Sequence, residues 1–172
     1  CSGSDGFINW VDNTLDIRRT ANVLWSLSDP YEFRVVDSVP ELYAMIGAKT
    51  AQGATARMVA GFCWPWSDPK PDGSLVEDVE VGSWSMPWNA RPDAGRLGTG
   101  IPTSNFWASE PGGLYQVGCV YTAQGFEFDY VGIIFGLDLR YDWDKNTWVG
   151  DKTHSHDTVV KRSKEQFLQL VK

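Results

Sequence analysis

Apolar residues in the first third of the chain recur in two rhythms. Over residues 7–27, Ile8, Val11, Leu15 and Trp25 return at near-helical intervals, joined by Ile17, Ala21 and Leu24, and Ser4 or Asp5 can cap the start. Tyr31-Glu32-Phe33-Arg34-Val35-Val36 reads as a strand. Ser38-Val39-Pro40-Glu41 is a capping box with proline in the first turn. It predicts a second helix through Leu42, Tyr43, Met45 and Ile46, ended by Gln52-Gly53. Ala56-Arg57-Met58-Val59-Ala60-Gly61-Phe62 reads as a buried strand. Helix, strand, helix, strand predicts an α/β domain with a parallel sheet. The pattern resumes at 117–121 and 131–135, so strands are expected near 33–37, 56–62, 117–121 and 130–135.

Between about 64 and 113 the texture changes. Ser67-Asp68-Pro69-Lys70-Pro71-Asp72-Gly73 is a strong turn signal, and Val79 and Val81 then alternate with charges, as in a β-hairpin. Pro87, Pro92, Pro102 and Pro111 interrupt any regular element beyond it. The expectation is an insertion that begins as a hairpin, continues as an irregular Trp-anchored loop and projects from the sheet. So long an irregular stretch inside a domain usually serves function or interaction. Residues 141–151 read as a polar loop carrying Trp143 and Trp148. Ser163-Lys164-Glu165-Gln166 is another capping box, followed by Phe167, Leu168, Leu170 and Val171 on one helical side.

Composition narrows the classes. At 172 residues and 42% hydrophobic, the chain suits one globular domain with a sizeable core. No run approaches the roughly 20 apolar residues of a membrane span, so no membrane partner is expected. The first residues carry no basic or apolar stretch of a secretory signal, and the missing initiator Met suggests a processed chain or excised fragment. Three scattered cysteines, Cys1, Cys63 and Cys119, make no disulfide framework and fit a reduced, cytoplasmic protein. The net charge of −7 confines any nucleic-acid contact to a local patch, such as Arg91 and Arg96, or to other parts of a longer protein. The chain holds 9 Trp, and Trp64, Trp66, Trp84, Trp88 and Trp107 crowd one third of it. Such rings stack nucleobases or sugars, or fill cores.

Several motifs fall away. Gly47-Ala48-Lys49-Thr50 lacks the glycine before lysine and closes a helix that a P-loop would open. Gly98-Thr99-Gly100 has no third glycine and no preceding strand. His154-Ser155-His156-Asp157 lacks a third His or a Cys cluster for catalytic zinc, so no metal site is expected.

Cys119-Val120-Tyr121-Thr122-Ala123-Gln124-Gly125-Phe126-Glu127-Phe128-Asp129 is the most informative stretch, a glycine-containing turn between two short apolar strands. Such strand ends face the crevice where α/β folds place ligand chemistry. The stretch resembles the fifth motif of superfamily one helicases, roughly Thr-x-His-x-x-Gln/Lys-Gly-x-Glu-Phe. Gln124, Gly125, Glu127 and Phe128 match, while Cys119 replaces Thr and Tyr121 replaces His. The opening residues 2–12, Val59-Ala60-Gly61-Phe62-Cys63-Trp64-Pro65-Trp66, Met86-Pro87-Trp88-Asn89, Pro111-Gly112-Gly113 and Gly150-Asp151-Lys152 are similar to the Schlafen group three-type family of bacterial P-loop helicase-like proteins.

The resemblance implies that residues 1–172 are a single, incomplete RecA-like second domain of a P-loop NTPase, a parallel sheet with flanking helices and the insertion near 64–113. ATP would sit between it and an N-terminal RecA-like domain, with Mg²⁺ and the Walker motifs held there. Gln124 and Gly125 would shape the interdomain cleft and Glu127 would face the ribose. Tyr121 and Thr122 would lie near single-stranded DNA or RNA, with Trp64 and Trp66 stacking on bases or covering the groove. The Lys, Mg²⁺ and Arg charges of phosphoryl transfer are not among the matched residues, so the chain alone should contain no catalytic residue and bind no cofactor. Two other classes remain open, a protein-interaction module built on the Trp-rich insertion and a carbohydrate-active domain, which would need a carboxylate pair flanking a cleft.

Overall fold

The computed structural model describes residues 5–21 and 31–162. Helix α1 spans Asp5–Thr14 and stops earlier than its apolar periodicity suggests, because the chain turns at Asp16, in the left-handed region at φ 54°. The expected continuation through Leu24 and Trp25 and the C-terminal helix beyond Ser163 lie outside the described residues.

Residues 31–36 do not form the expected strand. A strand needs a ladder, and these residues join none; Val35 stands 85% exposed. Their aromatic rings pack on α1 instead. Tyr31 stacks on Phe7 at 5.1 Å, and Phe33 meets Trp10 edge-on at 5.0 Å.

Helix α2, Val39–Ala51, follows its capping box. Ser38 Oγ accepts the Glu41 N–H at 3.3 Å, and Glu41 Oε2 reaches back to the Asp37 N–H at 3.4 Å. Strand β1 is Ala56–Ala60. Within the insertion, β2 (Val79–Val81) and β3 (Trp84–Met86) pair antiparallel as the expected hairpin. A 3₁₀ turn at Pro111–Tyr115 leads into β4, Val117–Cys119, which passes directly into the short helix α3, Val120–Ala123. Strand β5 is Tyr130–Ile134.

The central sheet runs β4-β1-β5, all parallel, with Met58 opposite Val117 and Gly132. Helix α2 lies against β1 and β5. The protein is thus α/β with a parallel three-stranded sheet and flanking helices, an arrangement compatible with a RecA-like domain.

Residues 64–113 do not project. Val79, Met86 and Trp88 are buried in one cluster with Ala56, Met58, Val117 and Ile134 of the sheet. Trp88 bridges Val117 in parallel, and the Val117 N–H and C=O bond to Pro87 O and Asn89 N at 2.9 and 2.8 Å. A short line of backbone thereby extends the sheet beyond β4. The proline-broken segment still has to satisfy its carbonyls, and indole N–H groups do much of this. Trp64 donates to Glu80 O at 2.8 Å, Trp66 to Asn89 O at 2.9 Å and Trp88 to Pro65 O at 2.7 Å.

The second sheet face is covered by Trp107, fully buried, whose ring atoms Cζ2, Cη2 and Cζ3 fill the position where Gly118 has no side chain. Arg57, on β1 and 4% exposed, reaches from the same face to Trp107 O at 3.2 Å and Glu110 O at 2.8 Å and also bonds Ala56 O at 2.8 Å. Burial lowers the Arg57 pKa from its ordinary value.

Residues 141–151 are not the expected loop. Strands β6 (Leu139–Asp142) and β7 (Thr147–Gly150) form a hairpin in which Tyr141 faces Trp148, ring centres 5.5 Å apart. Cross-strand aromatic pairing stabilises a stretch whose polar composition reads as a loop. Helix α4, Thr158–Arg162, closes the described chain. Among the described residues no helix is long and apolar enough to cross a membrane.

Candidate functional site

The stretch after β4 leaves the sheet at its carboxyl edge, where parallel strands deliver side chains to a crevice. Strand β4 ends at Cys119 rather than Tyr121, because the ladder is taken over by a side chain. Asn89, fully buried, accepts the Cys119 N–H at 3.0 Å and the Thr122 hydroxyl at 2.8 Å on its Oδ1. Its Nδ2 donates to Ala90 O at 3.0 Å, and its own carbonyl is occupied by Trp66 Nε1. Thr122 Oγ1 also lies 2.9 Å from Cys119 O, so the single turn of α3 is tied to the end of β4.

Tyr121 is held from the other side. Its hydroxyl donates to Asp157 Oδ2, while Asp157 Oδ1 accepts the Val159 N–H at 2.7 Å and the Val160 N–H at 3.3 Å at the start of α4. That bond to Asp157, then burial, pushes the Tyr121 pKa up to about 12. Burial pushes the Cys119 thiol up to about 11 and, with Asp138 beside it, also raises that of Cys63, so neither is a thiolate at neutral pH.

Beyond α3 the chain turns at Gln124 and Gly125, the glycine at φ 89°, where a side chain would be strained. Gln124, Gly125 and Glu127 are all exposed. The residues flanking Glu127 turn toward the protein: Phe126 and Phe128 lie against Trp107, with ring centres 6.4 and 5.9 Å away. Asp129 then closes the loop on Thr55, accepting its N–H and its hydroxyl at 2.8 Å each. Those bonds hold the Asp129 carboxyl below its ordinary pKa.

The loop is therefore anchored at three points and open above. Two clefts lie away from it. One, of about 310 Å³, is lined by residues that include Asp68, Lys70 and Arg96 of the insertion. The other, of about 650 Å³, is lined by residues that include Thr50, Pro87, Tyr115 and Gln116.

The structure thus joins Thr122 and Trp66 through Asn89, ties the neighbouring Tyr121 to Asp157 and places Gln124, Gly125 and Glu127 on the next turn. Trp64, bonded to Glu80, joins this group only through its ring contact with Trp88 at 6.1 Å. Trp88 and Trp107, at 1% and 0% exposure, have no face left for a base; Trp64 and Trp66 are half-buried. Arg91 is engaged by Asp93 at 3.0 Å and Asp68 at 3.8 Å, leaving it poorly placed to meet a phosphate.

His154 lies 3.8 Å from Asp151, and the His156 N–H bonds Phe62 O. Among the described residues no group of three or more His, Cys, Asp or Glu could hold a metal ion. The amide of Gln124 and the carboxylate of Glu127, both exposed, are groups that can hydrogen-bond hydroxyls. The loop has no cation for phosphates and too few carboxylates for Mg²⁺.

Sequence reasoning did not single out Asn89 and Asp157. Asn89 carried no signal beyond its place in Met86-Pro87-Trp88-Asn89, and Asp157 stood out only beside two histidines.

The chain is 28% identical over 113 residues to the uncharacterised protein YPL245W of Saccharomyces cerevisiae, an overlap of 65% of this chain and 22% of that protein. The chain thus spans about a fifth of that relative's length. No solved structure matches it significantly. The family model described as Schlafen group 3, DNA/RNA helicase domain, matches residues 1–171, and the chain belongs to that family.

Proposed function

We propose that this chain is the second RecA-like half of an ATP-dependent DNA or RNA helicase or translocase and supplies one wall of its ATP cleft. The observation that carries the reading is the Gln124–Glu127 loop, exposed at the carboxyl edge of a parallel sheet and anchored from below by Asn89, Trp107 and Thr55. A surface so firmly seated and so open suits a cleft completed by a second body.

In this reading Gln124 and Gly125 shape the wall and Glu127 accepts hydrogen bonds from the ribose hydroxyls. ATP and Mg²⁺ supply the transferable phosphoryl group and its charge neutralisation, held by a P-loop domain elsewhere in the protein. In the same reading Tyr121, with its half-exposed ring, and Thr122 lie near single-stranded DNA or RNA, with Trp64 and Trp66 along the same side. The protein works in the cytoplasm.

The test uses a protein in which this domain is joined to its P-loop domain. Glu127→Ala raises the KM for ATP at least several-fold, through loss of hydrogen bonds to the sugar. Unchanged ATPase kinetics in that variant would remove Glu127 from the site. The 172-residue chain by itself turns over no ATP; measurable turnover by rigorously purified chain refutes the half-domain assignment.

A further inference from the structure

We infer that Asn89 is a positioning residue that couples the Trp-rich segment to the Gln124–Glu127 loop; its use in nucleotide binding rests on the function proposed above. Asn89 stands between the two parts and bonds to both. On one side its carbonyl accepts Trp66 Nε1 at 2.9 Å, and the ring of Trp66 lies 5.9 Å from those of Phe62 and Trp88. On the other its Oδ1 receives the Cys119 N–H and the Thr122 hydroxyl.

The side chain takes a place that backbone ordinarily fills. The line of backbone beside β4 puts Pro87 O on the Val117 N–H and the Asn89 N–H on Val117 O, so the next ladder acceptor, for the Cys119 N–H, would be the carbonyl of Asn89 itself. That carbonyl accepts Trp66 Nε1 instead, and Asn89 Oδ1 stands in for it at the Cys119 N–H. The same oxygen holds the first turn after the strand, two residues before Gln124.

The Cys119 bond is buried and the Thr122 bond partly so, and a Cys119 N–H left without Asn89 has no water to turn to. The loop thus has one well-populated position while Asn89 is in place. A ligand or protein segment that shifts the indole of Trp66 acts on the loop through the Asn89 backbone and side chain. The Trp-rich segment then governs how the nucleotide wall is set, as well as filling the core.

Amide hydrogen exchange on the 172-residue chain tests the positioning role without any nucleotide. Thr122→Val removes the hydroxyl that meets Asn89 Oδ1 and also lies 2.9 Å from Cys119 O, at nearly constant shape, and Thr122→Ser keeps it. In the Val variant exchange at residues 119–125 speeds up about tenfold, while β1 stays protected, and the Ser variant restores the slow rate. Asn89→Leu gives a larger local effect if it folds; the Thr122 pair carries the test if it does not. Trp66→Phe, which keeps a ring and loses the N–H, also accelerates exchange at 119–125.

Exchange at 119–125 that is unchanged in Thr122→Val, or that rises in step with β1, overturns the positioning role. If Trp66→Phe leaves the loop untouched, the coupling to the Trp-rich segment is overturned. In the longer protein Thr122→Val raises the KM for ATP with little change in kcat, and Thr122→Ser restores it. If the exchange results hold while neither Glu127→Ala nor Thr122→Val alters ATP kinetics, the nucleotide reading fails and the mechanical coupling stands.

Discussion

Replacing Gly118 with alanine tests how the sheet, Trp107 and the candidate loop are held together. A Cβ at this position would lie 2.1, 2.4 and 2.8 Å from Cη2, Cζ2 and Cζ3 of Trp107. Carbon atoms rest about 3.5–4.0 Å apart, so the ring must retreat by more than about 1 Å. It has nowhere to go. Trp107 is fully buried and packed between the sheet and the rings of Phe126 and Phe128. Overpacking of this kind costs about 1–3 kcal/mol, and the depth of the overlap puts this site near the upper end. The stiffer unfolded chain of the alanine variant offsets this by about 0.4–1 kcal/mol, leaving a net loss of about 2 kcal/mol. With a urea dependence of about 2 kcal/mol/M, the unfolding midpoint falls by about 1 M. The sharper measurement is a double-mutant cycle with Trp107→Leu, which removes the ring that the added methyl group would strike. In that background Gly118→Ala should cost less than about 0.5 kcal/mol. An equal cost in both backgrounds, or no cost in either, would refute the close approach. Hydrogen exchange should also show the loop at 126–128 loosening in the single variant, since Phe126 and Phe128 bear the displaced ring.

Three other outcomes follow from the same structure. Arg57→Lys keeps the charge but cannot span Ala56, Trp107 and Glu110 carbonyls together, so thermal unfolding should reveal a loss of about 2 kcal/mol. Ser38→Ala removes the cap of α2 and should lower stability by about 1 kcal/mol in urea titration, with Ser38→Asp close to wild type. Tyr121 has a folded pKa raised to about 12 from an ordinary value of 10.0, so its contribution is complete below pH 10.0 and is lost as pH rises towards 12. Burial also raises Tyr43, so near-ultraviolet tyrosinate absorbance should show late-titrating tyrosines of which one disappears in Tyr121→Phe, and that variant should lose less stability across the same alkaline interval.

What the sequence determined by itself was whatever depends on neighbours a few residues away. The cap of α2 is written in Ser38, Pro40 and Glu41, which act within one turn. The strands β1, β4 and β5 are short apolar runs, and the alternation of helical and strand-like patterns over residues 7–62 implied the parallel sheet that they form. The hairpin at 79–86 was legible from alternation. Gln124-Gly125-Phe126-Glu127 could be placed on a turn between two short strands from residue type alone, although β5 is more exposed than its apolar run suggests, and the turn does need glycine at φ 89°.

Tertiary structure decided the rest, because it depends on partners far away in sequence. Residues 31–36 have the composition of a strand but no ladder to join, and their rings spend themselves on α1. Residues 141–151 look polar yet form a hairpin, because Tyr141 and Trp148 meet across it. The Trp-rich segment reads as a projection, since prolines forbid regular elements; indole N–H groups and a parallel bridge at Trp88 bring it into the core instead. The supports of the candidate site show the same limit most sharply. Asn89 is 30 residues from Cys119, and Asp157 is 36 from Tyr121. Nothing local distinguishes that buried amide from a solvated one, or that carboxylate from an ordinary surface charge. Only the closing of the sheet beside β4 and the return of α4 gave them their partners, because a hydrogen bond is specified by where two groups meet rather than by either residue alone.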